Sequence, residues 1–275
     1  MATVPQTPEV DLFDLTAVVK SWALNAFIAT RTREQKKVKI DDLDIKVNWD
    51  DLHCWSEPPQ FSDCNTVTLP KSHSLFSTNF KNNTDNEQEY NFRTERATRS
   101  VAEIEISQGF TSKKEIGIKL QVPNQILEAS AGFSHEISLN ETSRQTVEEE
   151  LVWGVDTRIV VPPHSTAEAE VKVLEEKMTS KFSFETKMHG RIRASVLDSR
   201  HDNRHLKYIE NDIAGIISEH LARPRPKGKP ALTNVVVQPL AEGSNQKVVI
   251  ITTRGQCAFR FGVKQNVEVN QVNRS

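Results

Sequence analysis

The spacing of apolar residues along the chain changes period several times, and each change marks an element. Between residues 10 and 30, Leu12, Leu15, Val19, Trp22 and Ala26 recur at three- and four-residue intervals, the single stripe of an amphipathic helix. The opposite face lacks the Lys/Arg richness of a membrane-surface helix, so the stripe is expected to pack on a sheet. From Val38 the period falls to two. Val38 and Ile40, then Leu43, Ile45, Val47 and Trp49, alternate with polar residues, with a slip at Asp41-Asp42 that reads as a β-bulge. Glu57-Pro58-Pro59-Gln60 reads as a turn. Strands are expected around Val67–Leu69, Leu75–Phe80 and Tyr90–Thr98, with a polar loop, Lys81–Gln88, before the last.

The middle of the chain alternates over longer stretches. Ala102, Ile104, Ile106 and Phe110 share one face, and Val147, Leu151, Trp153, Val155, Ile159 and Val161 share another that ends at Pro162-Pro163. Ala167, Ala169, Val171 and Val173 follow, then Met178, Phe182, Phe184, Met188, Ile192, Ala194 and Val196. Strands average ~5–6 residues, so such runs predict long, twisted ribbons. Leu206, Ile209, Ile213, Ile216 and Ile217 predict a second helix over about His205–Leu221. The stretch from Arg223 to Pro230 can be neither helix nor inner strand and is expected to be an extended connector. Strands at Thr233–Gln238, Lys247–Thr253 and within Cys257–Val269 close the chain. The fold class is mostly β: elongated, with long twisted antiparallel strands, an amphipathic hairpin, an N-terminal helix and another in the C-terminal half.

Composition narrows the function classes. With 275 residues there is ample chain for a core, and a net charge of -2 gives no electrostatic case for nucleic acid. No stretch approaches the ~20 apolar residues of a transmembrane helix. The opening MATVPQTPEV has no leader pattern, so the expectation is secretion or release by a leaderless route, or cytosolic storage, before action at a target membrane. The three cysteines fit neither a disulfide framework nor a zinc ribbon; Cys54 and Cys64 pair or, as favoured here, stay reduced. His201 and His205 lack a third metal ligand, and His53, Cys54, Cys64 and His73 match no finger spacing. Phosphate loops, nucleophile elbows and dinucleotide fingerprints are missing from the sequence. No enzyme, metal or cofactor is therefore expected. The sequons at Asn82, Asn140 and Asn273 read as chance in a Ser/Thr-rich chain. Trp22 and Trp49 lie on apolar stripes and belong to the core, whereas Trp55, beside the Pro-Pro turn, is the candidate exposed aromatic for a receptor or glycan.

One segment stands apart. Ile116, Ile118, Leu120 and Val122 are apolar on even positions, Pro123–Ile126 reads as a four-residue turn, and Leu127, Ala129, Ala131 and Phe133 are apolar on odd positions, followed by Ile137 and Leu139. Folded about that turn, Val122 faces Leu127, Leu120 faces Ala129, Ile118 faces Ala131 and Ile116 faces Phe133. The other face pairs Gln121 with Glu128, Lys119 with Ser130 and Gly117 with Gly132. One apolar and one polar face suit a membrane-crossing β-hairpin, and equally an ordinary hairpin covering a core. Lys114 opposite His135 interrupts the apolar face, which leaves it short of the ~9–11 residues that a spanning strand needs.

The Ser/Thr-studded strand Phe92–Ser100, the Gly109-Phe110 step, this hairpin and the strand ending Ile159-Val160-Val161-Pro162-Pro163 together resemble the aerolysin-type β-pore-forming proteins, particularly the epsilon-toxin/Mtx2-like branch. The resemblance covers about residues 85–175. It implies a long-stranded pore-forming module, placed at 85–197; the parts that match no motif are expected to form an N-terminal α+β lobe (1–84) for membrane or receptor binding and a helix-plus-β part (198–275). It implies a target-cell membrane or surface receptor and further copies of the chain, in a homo-oligomeric ring, as partners. Ile116, Ile118, Leu120, Val122, Leu127, Ala129, Ala131 and Phe133 would then face lipid, and Lys119, Gln121, Glu128 and Ser130 the pore lumen. The competing expectation is a non-lytic, lectin-like binding or structural protein of the same fold.

Overall fold

The computed structural model describes residues 11–69, 73–111, 118–129, 132–139, 143–224 and 232–272. A short strand, β1 (Asp11–Asp14), runs parallel to Gln108–Thr111 and leads straight into helix α1 (Leu15–Thr30). Asp14 fixes the junction: its Oδ1 accepts the Ala17 N–H at 2.8 Å, an N-cap that starts the helix at Leu15 rather than at residue 10. The predicted stripe is buried, with Leu15, Val19 and Trp22 all in the core. The slip at Asp41-Asp42 is not a bulge. It is a 3-10 turn over Ile40–Asp42, preceded by another over Gln35–Lys37, and Ile40 is 47% exposed. Strand β2 therefore spans only Leu43–Asn48.

Strands β3 (Leu52–Ser56) and β4 (Gln60–Thr68) flank the expected Pro-Pro turn, followed by β5 (His73–Lys81) and the long β6 (Gln88–Thr111). A small excursion, β7 (Ile118–Gln121), α2 (Asn124–Glu128) and β8 (Glu136–Leu139), precedes β9 (Arg144–Val161). Next comes β10 (Thr166–Asp198), whose 33 residues reach on the order of 100 Å at ~3.3 Å per residue. Strand β11 (Arg204–Asp212), helix α3 (Ile213–Ala222), β12 (Val235–Pro239) and β13 (Lys247–Val272) complete the chain.

These strands form an 11-stranded sheet organised on β10. Along one edge β10 pairs in succession with β5, β4, β3 and β2; along the other it pairs with β13 over Thr166–Met188 and with β11 over Arg191–Asp198. Strand β13 continues to β6, and β6 to β9. The two apolar runs at 167–173 and 178–196 are halves of this one strand. Buried positions are odd through Glu175 and even from Met178, so burial passes from one face of this strand to the other as it leaves the smaller core for the larger; at Leu174/Glu175 the register with β13 also shifts, the extra residue lying on β13. The expected closing strands from Lys247 onward are likewise one strand, β13, which slips at Arg254/Gly255. A Cβ on Gly255 would lie 2.3 Å from the Glu105 carbonyl oxygen and 2.6 Å from the Phe182 ring, so only glycine admits this close approach.

The helix expected over His205–Leu221 is half strand. Residues 204–212 pair with β10, where Glu210 takes ion pairs from Arg191 (2.8 Å) and Arg193 (3.3 Å), and only then does Asp212 cap α3 by accepting the Ala214 N–H at 2.8 Å. Leu206 and Ile209, three apart, fit a helix and not a regular strand; a bulge that passes over Leu206 in the register with β10 lets the strand form.

Two cores result. The larger gathers α1, α3 and the inner faces of β6, β10 and β13. The smaller packs Phe92, Val155, Ile159 and Val161 of the β6–β9 ribbon onto Ala167, Ala169 and Val171 of β10, beside Phe76 and Phe80. Between them the Trp153 indole lies over Gly262 and donates to Thr98 Oγ1 at 2.8 Å. Asn82, 1% exposed, donates to the Val161 and Pro162 carbonyls, so the first sequon asparagine is a buried structural residue. At the β10–β11 corner burial favours a neutral Asp198, yet hydrogen bonding and charge from His201, the Arg200 N–H and the Arg204 charge outweigh it and hold the carboxyl below its ordinary range.

Two predictions follow from this packing. Gly262→Val places a Cβ 2.5 Å from the Trp153 ring and is expected to cost ~1–3 kcal/mol by overpacking, read as a lower denaturation midpoint. The depressed Asp198 pKa means that its contribution to stability is complete above the unfolded value of ~3.9 and is lost as pH falls through the lower folded value. Asp198→Asn should accordingly flatten the acid limb of thermal stability against pH; an unchanged limb would refute the assignment.

Candidate membrane-insertion segment

The connection between β6 and β9 holds the amphipathic residues singled out above. Its described part is a separate two-stranded sheet, β7–β8, that pairs with no strand of the main sheet. Ile118, Leu120 and Val122 are 8%, 0% and 3% exposed, and Ile126 and Ile137 are 0% and 6%. These five belong to the large core with Phe182, Phe184, Met188 and Phe259, and the half-buried Phe133 sets its ring edge-on to Phe259 at 5.6 Å. Leu127 and Ala129 are also half-buried against this core. Lys119, Gln121 and Glu128 point to solvent. Ile116, Ser130 and Ala131 lie outside the described residues.

The partners differ from those expected. Ile118 pairs with Leu139, Lys119 with Ser138, Leu120 with Ile137 and Gln121 with Glu136. The Val122 N–H donates to the His135 carbonyl at 2.8 Å. The predicted four-residue turn is absent from the folded chain, because Pro123 starts helix α2, where its missing N–H costs nothing. Ile126, read as a turn residue, is instead a fully buried anchor of that helix. Alternation assigns each residue to a face but does not choose its partner, and so the apolar face was legible and the pairing was not.

Sequence reasoning also missed Glu136, whose carboxylate meets Lys119 Nζ at 2.8 Å. Both groups are exposed, and an exposed pair of this kind contributes ~1 kcal/mol at most. Retention of the hairpin rests on its apolar side instead. Five buried aliphatic side chains at ~1.5–3 kcal/mol each amount to an upper estimate on the order of 10 kcal/mol. That contribution is non-directional and would be recovered wherever the same face met hydrocarbon.

Lys119, Gln121 and Glu136 also border a cleft of about 380 Å³ whose far side includes Trp49, Leu52 and Trp55. Trp55 is 39% exposed and stands edge-on to His189 at 5.7 Å, so the candidate receptor aromatic and the polar face of the hairpin share one crevice. Trp22 and Trp49 are 7% and 9% exposed, core residues as expected. His201 is engaged by Asp198 and His205 stacks on Tyr208 at 4.0 Å. All three cysteines are free thiols, and burial pushes that of Cys257 up to about 12.

Set beside known proteins, residues 62–271 match the family described as Clostridium epsilon toxin ETX/Bacillus mosquitocidal toxin MTX2. The chain belongs to that family, and the resemblance to the aerolysin-type β-pore-forming group read from its motifs stands. No curated protein matches the sequence itself. Solved structures of similar fold include a non-toxic crystal protein from Bacillus thuringiensis (15% identity, 95% of this chain and 98% of that one, TM-score 0.48). Another is the Mpp75Aa1.1 beta-pore-forming protein from Brevibacillus laterosporus (12% identity, 86% and 73%, TM-score 0.46). A third is the parasporin-2 Bacillus thuringiensis toxin that recognizes cancer cells (15% identity, 80% and 75%, TM-score 0.41).

If docking rests on buried apolar side chains, Leu120→Ala should weaken it by ~2–5 kcal/mol. Amide exchange would then rise across 118–139 while the β10–β13 ladder keeps its protection. Uniform loss of protection would mean that the hairpin does not open as a unit.

Proposed function

We propose that this chain is a β-pore-forming toxin that binds a target-cell surface, assembles with further copies of itself, and inserts the segment between β6 and β9 into a shared transmembrane barrel. One observation carries the reading. The amphipathic β7–β8 sheet is tied to the molecule at both ends by the paired strands β6 and β9, yet it shares no backbone ladder with the main sheet. It can leave by exchanging one apolar environment for another, with the large sheet undisturbed. A lone hairpin cannot cross lipid because its edge N–H and C=O groups would be unsatisfied; several copies closing a barrel satisfy all of them. Family membership supports the same reading.

In the inserted state Ile116, Ile118, Leu120, Val122, Leu127, Ala129, Ala131 and Phe133 face lipid, and Lys119, Gln121, Glu128 and Ser130 line the lumen. Trp55 is the receptor contact, and its position across the cleft from Lys119 and Gln121 puts surface recognition next to the segment that must move. The protein acts outside the cell that makes it, on the target membrane, with no cofactor.

Dye-loaded vesicles and cell membranes incubated with the protein should release dye as SDS-resistant oligomers form. Binding without either would favour a non-lytic module. Because Ile118 and Leu120 are core residues of the folded chain, acidic substitutions there would also disturb docking; Ala129→Asp, at a half-buried site, separates the two effects. It should abolish release while the unfolding temperature stays within a few degrees of wild type, and full release by this variant would remove Ala129 from the lipid face.

A further inference from the structure

Strand β10 ends at Asp198, and the chain reverses through Ser199–Asn203 before β11 starts at Arg204. Asp202 and Asn203 take left-handed backbone there (φ 52° and 53°), as Asp and Asn tolerate. The segment after α1 faces this corner and is tied to it twice. Gln35 Nε2 donates to the Leu206 carbonyl at 2.8 Å, and the Ser199 N–H and hydroxyl donate to the Asp42 carbonyl at 2.8 and 2.7 Å. Between the two lies a cleft of about 660 Å³, a size that suits a small ligand.

Its wall carries the cations of Lys37, Lys39, Arg200 and Arg204 and the carboxylates of Glu34, Asp42 and Asp198. Every carboxylate is taken. Glu34 meets Lys37 Nζ at 2.8 Å, Asp42 accepts from Arg200 Nε at 2.7 Å, and Asp198 holds His201 Nδ1 at 2.8 Å and Arg204 at 3.5 Å. Lys39 has no side-chain partner among the described residues. Asp198 and Asp42 lie beneath their cations: they are 1% and 13% exposed, whereas Arg200 and Arg204 are each 62% exposed. A solute in the cleft therefore meets N–H donors first. Each guanidinium gives one side of its planar fork to a carboxylate and keeps further donors for a second anion. Fixing the fork in advance removes part of the entropy otherwise lost on binding.

His205, also on the wall, stacks on Tyr208 at 4.0 Å, and the tyrosine is 63% exposed. An open aromatic face beside such donors suits a sugar that carries an acid. The ring packs on the C–H face of a pyranose, and the donors take its carboxylate or sulfate. The apolar side chains on the wall are Val38 and Leu206, too few to hold an acyl chain. We infer that this corner binds an acidic saccharide of a cell-surface glycan, with Lys39, Arg200 and Arg204 holding the anion and Tyr208 as the stacking platform. The site is separate from the Trp55 crevice: from Lys187, the partner of Trp55, to Asp198 the strand covers on the order of 35 Å at ~3.3 Å per residue. It does not depend on whether the protein permeabilises membranes.

Saturation-transfer NMR and calorimetry on the full-length protein test the site with 3′-sialyllactose, a sulfated heparin disaccharide, neutral lactose and sodium sulfate. At least one acidic sugar should bind, lactose should not, and added NaCl should weaken binding. Lys39→Gln and Arg204→Gln should each weaken it about tenfold, and Tyr208→Ala about threefold or more. Trp55→Ala should change nothing, which separates this site from the receptor contact proposed above. Arg204→Gln leaves the buried Asp198 short of a partner; if that variant fails to fold, Lys39→Gln and Tyr208→Ala decide, since both side chains are clear of the core. Absence of binding by both acidic sugars, equal binding of lactose, or unchanged affinity in the Lys39 and Tyr208 variants overturns the inference. Sulfate ion bound as tightly as the sugars would leave a plain anion site, and loss of binding in Trp55→Ala would move the sugar to the other crevice; either overturns it. So does binding to phosphatidylserine vesicles with no affinity for either sugar, which would assign the cations to a lipid head group.

Discussion

A strand inside a sheet must satisfy its backbone donors and acceptors on both edges over its whole length, and β10 imposes that demand for 33 residues. No single partner meets it. One edge takes four short strands in turn, all from the N-terminal part of the chain, and the other takes β13 and β11 from the C-terminal part. The ends of the sequence are thereby knitted along one axis, and the elongated form follows. Where β13 falls out of step, with β10 at Leu174/Glu175 and with β6 at Arg254/Gly255, the sheet absorbs the mismatch and stays continuous.

Against this directional network the β7–β8 hairpin is held by a different kind of force. Strands β6 and β9 are locked by a ladder and by cross-strand contacts such as Arg144–Glu105, whereas the segment between them adheres through Leu120, Ile126 and their neighbours. Ladder bonds fix a partner residue by residue; burial requires only an apolar surface. Under the proposed function the two are combined, with the ladder as anchor and the apolar contact as a removable cover.

Errors in the sequence reading share one origin. The long alternating runs, the buried Trp22 and Trp49, the exposed Trp55 and the Pro-Pro turns were all legible, because each depends on a residue's own face or on backbone restrictions nearby. The helix assigned to His205–Leu221 failed in its first half because the spacing of Leu206 and Ile209 is helical, while pairing with the edge of β10, through a bulge at Leu206, selects the strand. Two runs at 167–173 and 178–196 look separate in the sequence because burial changes face along β10, and the change in parity resembles a turn.

The sequence by itself determined which side of each strand is apolar, since side chains alternate with every residue wherever the backbone is extended. It thereby determined that 116–139 has an apolar and a polar face, and its motifs pointed to the family. Only the tertiary structure decided partners: that β10 runs unbroken, that Asp212 rather than His205 begins the second helix, and that Ile118 lies against Leu139. Pairings that differ by an even number of residues present the same faces. The choice between them is made by what else the segment touches, which for this hairpin is the sheet beneath it.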